Sequence, residues 1–207
     1  VGSGTEVAKE ASDIVLINNS FTIIVAAIEE GRKIIDNLKK IVAYLLSTSF
    51  SEIIAIGGAL AFAAPLPFLP AQILWANIIE EGLMSFAFAF EKPEKGIMKR
   101  NPRSSRARNI LTPKLTLLIV IIGVITGFFL LALYFILLQL NLSIETVRTL
   151  MFAALSLDSI FFAFSLKSLD KPVWKIDLFT NWYLVISLAV SILLLFAALT
   201  LSFFQTL

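Results

Sequence analysis

The segment LWANIIEEGLMSFAFAF, residues 74–90, places two adjacent carboxylates, Glu80 and Glu81, inside an otherwise apolar stretch. It lies within a predicted helix over roughly 69–90, which is long enough to cross about 30 Å of hydrocarbon. A charge at that depth costs on the order of several kcal/mol, and intramembrane acids are therefore functional by default. The segment predicts a membrane helix that carries a polar site.

The composition agrees with a membrane protein. Hydrophobic residues make up 58% of the 207 residues and charged residues 15%, whereas soluble domains contain about 25% charged residues. We predict an all-α polytopic membrane protein with about five transmembrane helices. Their ranges are roughly 41–64, 69–90, 115–138, 147–166 and 182–204.

Two further features of the composition limit the function. The chain has no cysteine and no histidine, which excludes metal sites built from thiolate or imidazole and leaves oxygen ligands only. The net charge of +2 is small, and we expect no nucleic acid as a partner. The expected partner of the apolar segments is the lipid bilayer.

The first twenty residues are not membrane-like. The run EVAKEAS favours a short helix, DIVLI favours a short buried strand, and Ser20 is a suitable N-cap for the next helix. Residues 1–20 therefore resemble the tail of a larger soluble domain. Residues 21–40 have the charge pattern of an amphipathic stalk helix, and no proline or cap separates them from the first span. We expect one long helix that rises into the membrane domain at 41–207.

Lysine and arginine set the expected orientation. They are concentrated in the stalk and in the loops 91–114 and 167–181, whereas the turns at 65–70 and 139–146 contain none. Cytoplasmic loops carry the excess of Lys and Arg in membrane proteins. The N-terminus and both basic loops are therefore predicted to be cytoplasmic, and the cell membrane is the expected location.

Acidic residues recur at the same predicted depth. Glu52 and Glu80 each lie about eleven residues into neighbouring antiparallel spans, roughly 16 Å deep, and Asp158 lies near the middle of the fourth span. The spacing of Asn77, Glu80 and Glu81 predicts one shared helix face. The candidate metal ligands are Glu52, Asn77, Glu80, Glu81, Ser49 and Asp158.

These oxygen ligands suit a hard cation such as Ca²⁺, which takes six to eight oxygens, and proton or Na⁺ transport fits the same residues. Other interpretations remain open. The glutamates could line a water-filled crevice, Asp158 could be a structural hydrogen-bond partner, and the hydroxyls of Thr48 and Ser49 could bond to their own helix backbone.

The sequence GVITG at 123–127 matches the GxxxG pattern of closely packed membrane helices.

Three stretches of the sequence resemble motifs of one known family. The stretch GTEVAKEASDIVLINNSFTIIVAAIEEGRKIIDNLKKIVAYLLS resembles the path from the phosphorylation domain into the fifth helix of P-type cation-transporting ATPases of the calcium-pump-like class. LPFLPAQILWANIIEEG resembles the turn and sixth helix, and EKPEKGIMKRNPR resembles the loop that follows. The resemblance implies that the five spans correspond to helices 5–9 of a pump, preceded by a remnant of the α/β phosphorylation domain.

The resemblance also implies roles for individual residues. Glu52 matches a fifth-helix glutamate that binds the ion in calcium pumps, and Asn77 matches a sixth-helix asparagine ligand. Glu80 and Glu81 stand where those pumps commonly have Thr and Asp, and Ser49 stands where they have a ligating Asn. The transported cation is therefore expected to be Ca²⁺ or another hard cation; H⁺, Na⁺, Mg²⁺ and Mn²⁺ remain open.

The catalytic motifs of the family, D-K-T-G-T, T-G-D and G-D-G-x-N-D, do not occur in this sequence. The chain is thus expected to be the membrane part of a pump and not to hydrolyse ATP alone. ATP and Mg²⁺ would act only in the full-length protein. The expected missing partners are the actuator, nucleotide and phosphorylation domains and helices 1–4. The alternative is a stand-alone five-span channel, carrier or assembly partner that does not use ATP.

Overall fold

The fold consists of helices throughout the part of the chain that the computed structural model describes, residues 1–17, 20–94, 96–101, 109–169, 175 and 177–200. No strand occurs among these residues, which confirms the predicted all-α class. The elements are α1 (Glu6–Glu10), α2 (Phe21–Ala61), α3 (Pro70–Trp75), a π-helical segment (Ala76–Glu80), α4 (Glu81–Ala89), α5 (Pro113–Gln139), α6 (Ile144–Ser165) and α7 (Trp182–Thr200). Short 3₁₀ turns occur at Ile97–Lys99 and Leu178–Thr180.

Four helices, α2, α5, α6 and α7, are long and apolar enough to cross a membrane. They correspond to the first, third, fourth and fifth predicted spans, and residues 201–204 of the last prediction lie outside the described residues. The second predicted span consists of α3, the π-helical segment and α4 in direct succession. We call this unit, Pro70–Ala89, the broken helix. At 1.5 Å per residue it is about 30 Å long.

Helix α2 is continuous over 41 residues, about 60 Å, as the absence of proline predicted. Ser20 lies at its N-cap position, but its hydroxyl contacts the Thr22 hydroxyl at 2.7 Å and not the helix backbone. The strand predicted for DIVLI is wrong. Ile14 and Ile17 are 76% and 84% exposed, and a strand has nothing to pair with because no other strand is present in the described residues.

Helix α5 packs closely against α2 through the GxxxG pattern. A Cβ atom added at Gly123 would lie 2.7 Å from the Cβ of Phe50, and one added at Gly127 would lie 2.7 Å from the Cβ of Ile54. Real Cβ atoms essentially never approach so closely. The prediction of close helix packing at GVITG is therefore confirmed. Glycine is required at both positions because the helix backbones approach within the space of a side chain.

The helices are tied together at the end of the bundle where α2 carries Asn37. The Asn37 amide donates to the backbone oxygens of Ala89 and Glu91, at 3.2 and 2.9 Å. Asn181, just before α7, donates to the Ala87 oxygen at 2.9 Å and to the Glu91 carboxylate at 2.8 Å. We call this end of the bundle the basic end, because the Lys- and Arg-rich loops 91–114 and 167–181 adjoin it. Three helical units therefore meet there through buried hydrogen bonds.

The opposite end of the broken helix is also anchored. The Tyr134 hydroxyl of α5 donates to the Pro65 oxygen at 2.5 Å, and Arg148 of α6 donates to the Leu66 oxygen at 3.0 Å. The Leu69 backbone N–H donates to the Gln72 side chain at 3.0 Å, which supports the first turn of α3. The turn at 65–70, PLPFLP, thus joins the broken helix to α2 and is held by α5 and α6.

Candidate cation-binding site

The first contact of the candidate site joins α2 to the broken helix. The Asn77 amide donates to Glu52 Oε2 at 3.3 Å. Glu52 is only 6% exposed, and its Oε1 has no hydrogen bond in the described part of the chain. This carboxylate therefore has one oxygen held in place and one oxygen that can bind a cation. The predicted antiparallel packing of the first two spans brings the Asn77 and Glu52 side chains together.

The second contact joins the same two units and adds α6. Thr48 Oγ donates to Glu81 Oε2 at 3.0 Å, and Ser159 Oγ donates to Glu81 Oε1 at 3.4 Å. Glu81 is 1% exposed. Thr48 also lies 3.1 Å from the backbone oxygens of Tyr44 and Leu45, so its hydroxyl is positioned by its own helix as well as by the glutamate. Two hydroxyls thus hold the Glu81 carboxylate in the interior.

Glu80 contacts α6, the helix that Glu81 also contacts through Ser159. The Glu80 side chain lies beside Ser156 of α6 and beside Trp75, whereas Asn77 and Glu81 contact α2. Glu81 therefore lies between α2 and α6, and the prediction that Asn77, Glu80 and Glu81 share one face stays a prediction. The three residues lie in and just after the π-helical segment at Ala76–Glu80, whose i→i+5 ladder changes the angular spacing on which the prediction of one face depended.

Two other predicted ligands are less closely associated with the glutamates. Ser49 and Asp158 are half-buried, and neither side chain makes a hydrogen bond in the described part of the chain. Asp158 lies near enough to Tyr44 to affect it electrostatically. The role of both residues as ligands stays a prediction.

Sequence reasoning missed Ser159, Ser156 and the π-helical segment. Serines are common in membrane helices, so only the three-dimensional contacts reveal these two. Among the described residues, no three acidic side chains lie close enough together to form a metal-binding group. A cation held between Glu52 and Glu81 would therefore need neutral oxygens in addition, and the Asn77 and Thr48 side-chain oxygens lie beside those two carboxylates.

Comparison with known proteins agrees with this architecture. The family model described as cation transporting ATPase, C-terminus, matches residues 65–207. The chain belongs to the cation-transporting ATPase family. The match covers the broken helix, α5, α6 and α7, and it confirms the resemblance of the sequence motifs to the C-terminal membrane region of P-type pumps. With its four long apolar helices, the chain is an integral membrane protein.

Individual relatives show the same relationship. The chain is 36% identical over 194 residues to the calcium-transporting ATPase of Bacillus subtilis, covering 93% of the chain and 22% of the relative. It is 36% identical over 200 residues to the probable cation-transporting ATPase F of Mycobacterium tuberculosis, covering 94% and 21%. It is 40% identical over 125 residues to the endoplasmic reticulum-type calcium-transporting ATPase 4 of Arabidopsis thaliana, covering 60% and 12%. The chain thus spans about a fifth of the length of the first two relatives.

Proposed function

We propose that this chain is the membrane portion of an ATP-driven cation pump and that it supplies part of the ion-binding site. The observation that carries the proposal is the placement of Glu52 and Glu81 at the interface of α2 and the broken helix. Both carboxylates are buried inside a membrane bundle, and each is oriented by a neutral side chain of the opposite helix. Buried acids in a membrane mark ion pathways and binding sites.

Calcium is the cation that this site favours. Two carboxylates supply two negative charges, which balance a divalent cation, and the surrounding amide and hydroxyl oxygens are the hard ligands that Ca²⁺ prefers. The similarity to proteins named calcium-transporting ATPases in Bacillus subtilis and Arabidopsis thaliana supports the same choice. Ser49 and Asp158 remain proposed as additional ligands of this cation.

Coupling to ATP would pass along α2. Residues 1–20 would end the cytoplasmic phosphorylation domain, and residues 21–40 would form the stalk. A continuous helix from Phe21 to Ala61 can carry a displacement of that domain to Glu52 because it has no break. The basic loops would face the cytoplasm of the cell. The remaining domains and helices, with ATP and Mg²⁺, would come from the rest of the pump.

The test uses the full pump that contains this chain. We expect Ca²⁺ to trigger phosphorylation of the pump and ATP to drive uptake of radioactive calcium into vesicles. Glu52→Gln and Glu81→Gln each remove a negative charge with little change in shape. We expect each to weaken the apparent Ca²⁺ affinity at least about tenfold, which corresponds to about 1.4 kcal/mol.

The matched control is Glu145→Gln, which changes an exposed glutamate in the first turn of α6. It should leave Ca²⁺ affinity unchanged. Unchanged affinity and phosphorylation in both Glu52→Gln and Glu81→Gln would show that the site assignment is wrong. Calcium uptake that proceeds without ATP would favour a channel or carrier instead.

A further inference from the structure

The turn between α2 and the broken helix carries a phenylalanine that points into the bundle. Phe68 is 1% exposed, whereas Phe62, at the end of α2 just before the same turn, is 71% exposed. A phenylalanine that becomes buried removes roughly 150–250 Å² of surface from solvent or lipid. The turn therefore fills a substantial space inside the bundle with one apolar ring.

The Phe68 ring belongs to a buried apolar cluster to which every long helical unit contributes. The members from α2 and the broken helix are small, namely Ala55, Ala59 and Ala76, and each is at most 1% exposed. Small side chains on both helices leave room between them for a large side chain from the turn that joins them. The members from α5, α6 and α7 are Leu130, Tyr134, Leu137, Val147, Met151, Phe152, Leu155 and Leu195.

The cluster lies between the candidate cation site and the turn. On α2, Ala55 and Ala59 follow Glu52 by roughly 5 and 10 Å in the direction of the turn. On the broken helix, Ala76 directly precedes Asn77, again on the side of the turn. The cluster therefore begins next to the residues that bind the cation and continues away from the basic end.

The same order holds on α6. Arg148 contacts the Leu66 oxygen of the turn, and Ser159 contacts Glu81. Leu155 of the cluster lies between these two positions on the helix. A cation that leaves the candidate site towards the turn therefore meets apolar side chains on both sides of its path.

An apolar constriction is closed to ions, because an ion that enters it loses its hydrating water and apolar side chains offer no oxygen in exchange. Two hydrogen bonds hold the turn that carries Phe68. Tyr134 of α5 donates to the Pro65 oxygen at 2.5 Å, and Arg148 of α6 donates to the Leu66 oxygen at 3.0 Å. The ring is thus held in the constriction by the two helices that pack around it.

We propose that Phe68 is the plug that closes the exit side of the cation site, and that Tyr134 and Arg148 are positioning residues that hold it there. The inference rests on the proposed function, because the basic end faces the cytoplasm in that pump and the turn lies at the opposite, exit side. Release of the cation requires the ring to leave the space between α2 and the broken helix.

The experiment reconstitutes the purified full pump that contains this chain in vesicles and measures how fast trapped radioactive calcium leaves them without ATP. Phe68→Ala removes the ring and should speed this efflux at least about tenfold. Phe68→Leu keeps most of the apolar volume and should change efflux less than about twofold. The matched control is Phe62→Ala, which removes the same ring from an exposed position beside the same turn, and it should leave efflux unchanged.

A second pair of variants tests how the plug is held. Tyr134→Phe removes only the hydroxyl that donates to the Pro65 oxygen and should speed efflux at least about threefold. Its control is Tyr183→Phe, which removes the hydroxyl of a 55% exposed tyrosine on α7 and should have no effect. In Phe68→Ala and Tyr134→Phe the apparent Ca²⁺ affinity for phosphorylation should stay within about twofold, because Glu52 and Glu81 are unchanged. A general loss of structure would lower phosphorylation as well.

The outcomes separate the two proposals. Efflux at the unmodified rate in both Phe68→Ala and Tyr134→Phe overturns the plug, and Tyr134→Phe decides the question where Phe68→Ala fails to fold. Fast efflux together with normal Ca²⁺-dependent phosphorylation supports it. An unmodified pump that shows neither Ca²⁺-dependent phosphorylation nor ATP-driven calcium uptake overturns the proposed function instead.

Discussion

The contact between Gly127 and Ile54 allows one prediction to be worked out in detail. A Cβ at position 127 would lie 2.7 Å from the Ile54 Cβ, whereas ordinary contact begins at 3.4 Å. Gly127→Ala would therefore require α2 and α5 to separate by about 0.7 Å. Overpacking of this kind costs about 1–3 kcal/mol, and alanine recovers about 1 kcal/mol because it favours the helix.

The matched control is Gly57→Ala, because a Cβ at this helical position of α2 would have no atom within 4 Å. It carries the same gain in helix propensity without the clash. The free energy of unfolding should be lower in Gly127→Ala than in Gly57→Ala by about 1–3 kcal/mol. The midpoint temperature of Gly127→Ala should accordingly be the lower of the two.

The assay is thermal unfolding of the two full-pump variants in the same detergent, followed by loss of helical circular dichroism. A Gly127→Ala protein that is as stable as Gly57→Ala, or more stable, would refute the reasoning. Such a result would mean that α2 and α5 can separate freely at this contact and that GxxxG packing does not hold the bundle together.

Two further predictions concern the basic end. Asn181→Ala removes the donors to the Ala87 oxygen and the Glu91 carboxylate and should lower the free energy of unfolding by about 1–3 kcal/mol in thermal unfolding; an effect no larger than that of Thr180→Ala would contradict it. Burial lowers the pKa of the Lys167 ammonium from 10.5. The unfolded chain therefore binds this proton more tightly than the folded one, and the free energy of unfolding should rise as the pH rises towards 10.5. Chemical unfolding at several pH values should show that Lys167→Met reduces this rise and that the exposed control Lys114→Met does not; equal slopes in both variants would disprove the role of Lys167.

Much of the fold follows from hydropathy. Long runs of apolar residues predict α5, α6 and α7 to within a few residues, because a membrane helix must be apolar over its length. The uninterrupted α2 follows from the absence of proline. The strand predicted at DIVLI failed because strands depend on partners, and residues far away in the chain or outside it decide whether a partner exists.

The candidate site is only partly predictable. The unusual cost of acids in a membrane identifies Glu52, Glu80 and Glu81, and the antiparallel arrangement of the first two spans predicts that Glu52 and Glu80 lie at the same depth. The π-helical segment has no comparable signal, since its residues, Ala76–Glu80, are ordinary helix formers. The direction in which Glu80 points therefore emerges only from the structure.

The anchoring of the broken helix at both ends has a consequence for how it can move. Asn37 and Asn181 hold one end, and Tyr134 and Arg148 hold the turn before the other end. Tilting or sliding the whole unit would break these bonds. The π-helical segment contains one surplus residue per turn relative to an α-helix. A shift of the π-helical turn along the broken helix would rotate Glu80 and Glu81 about the helix axis while both ends of the helix stay fixed.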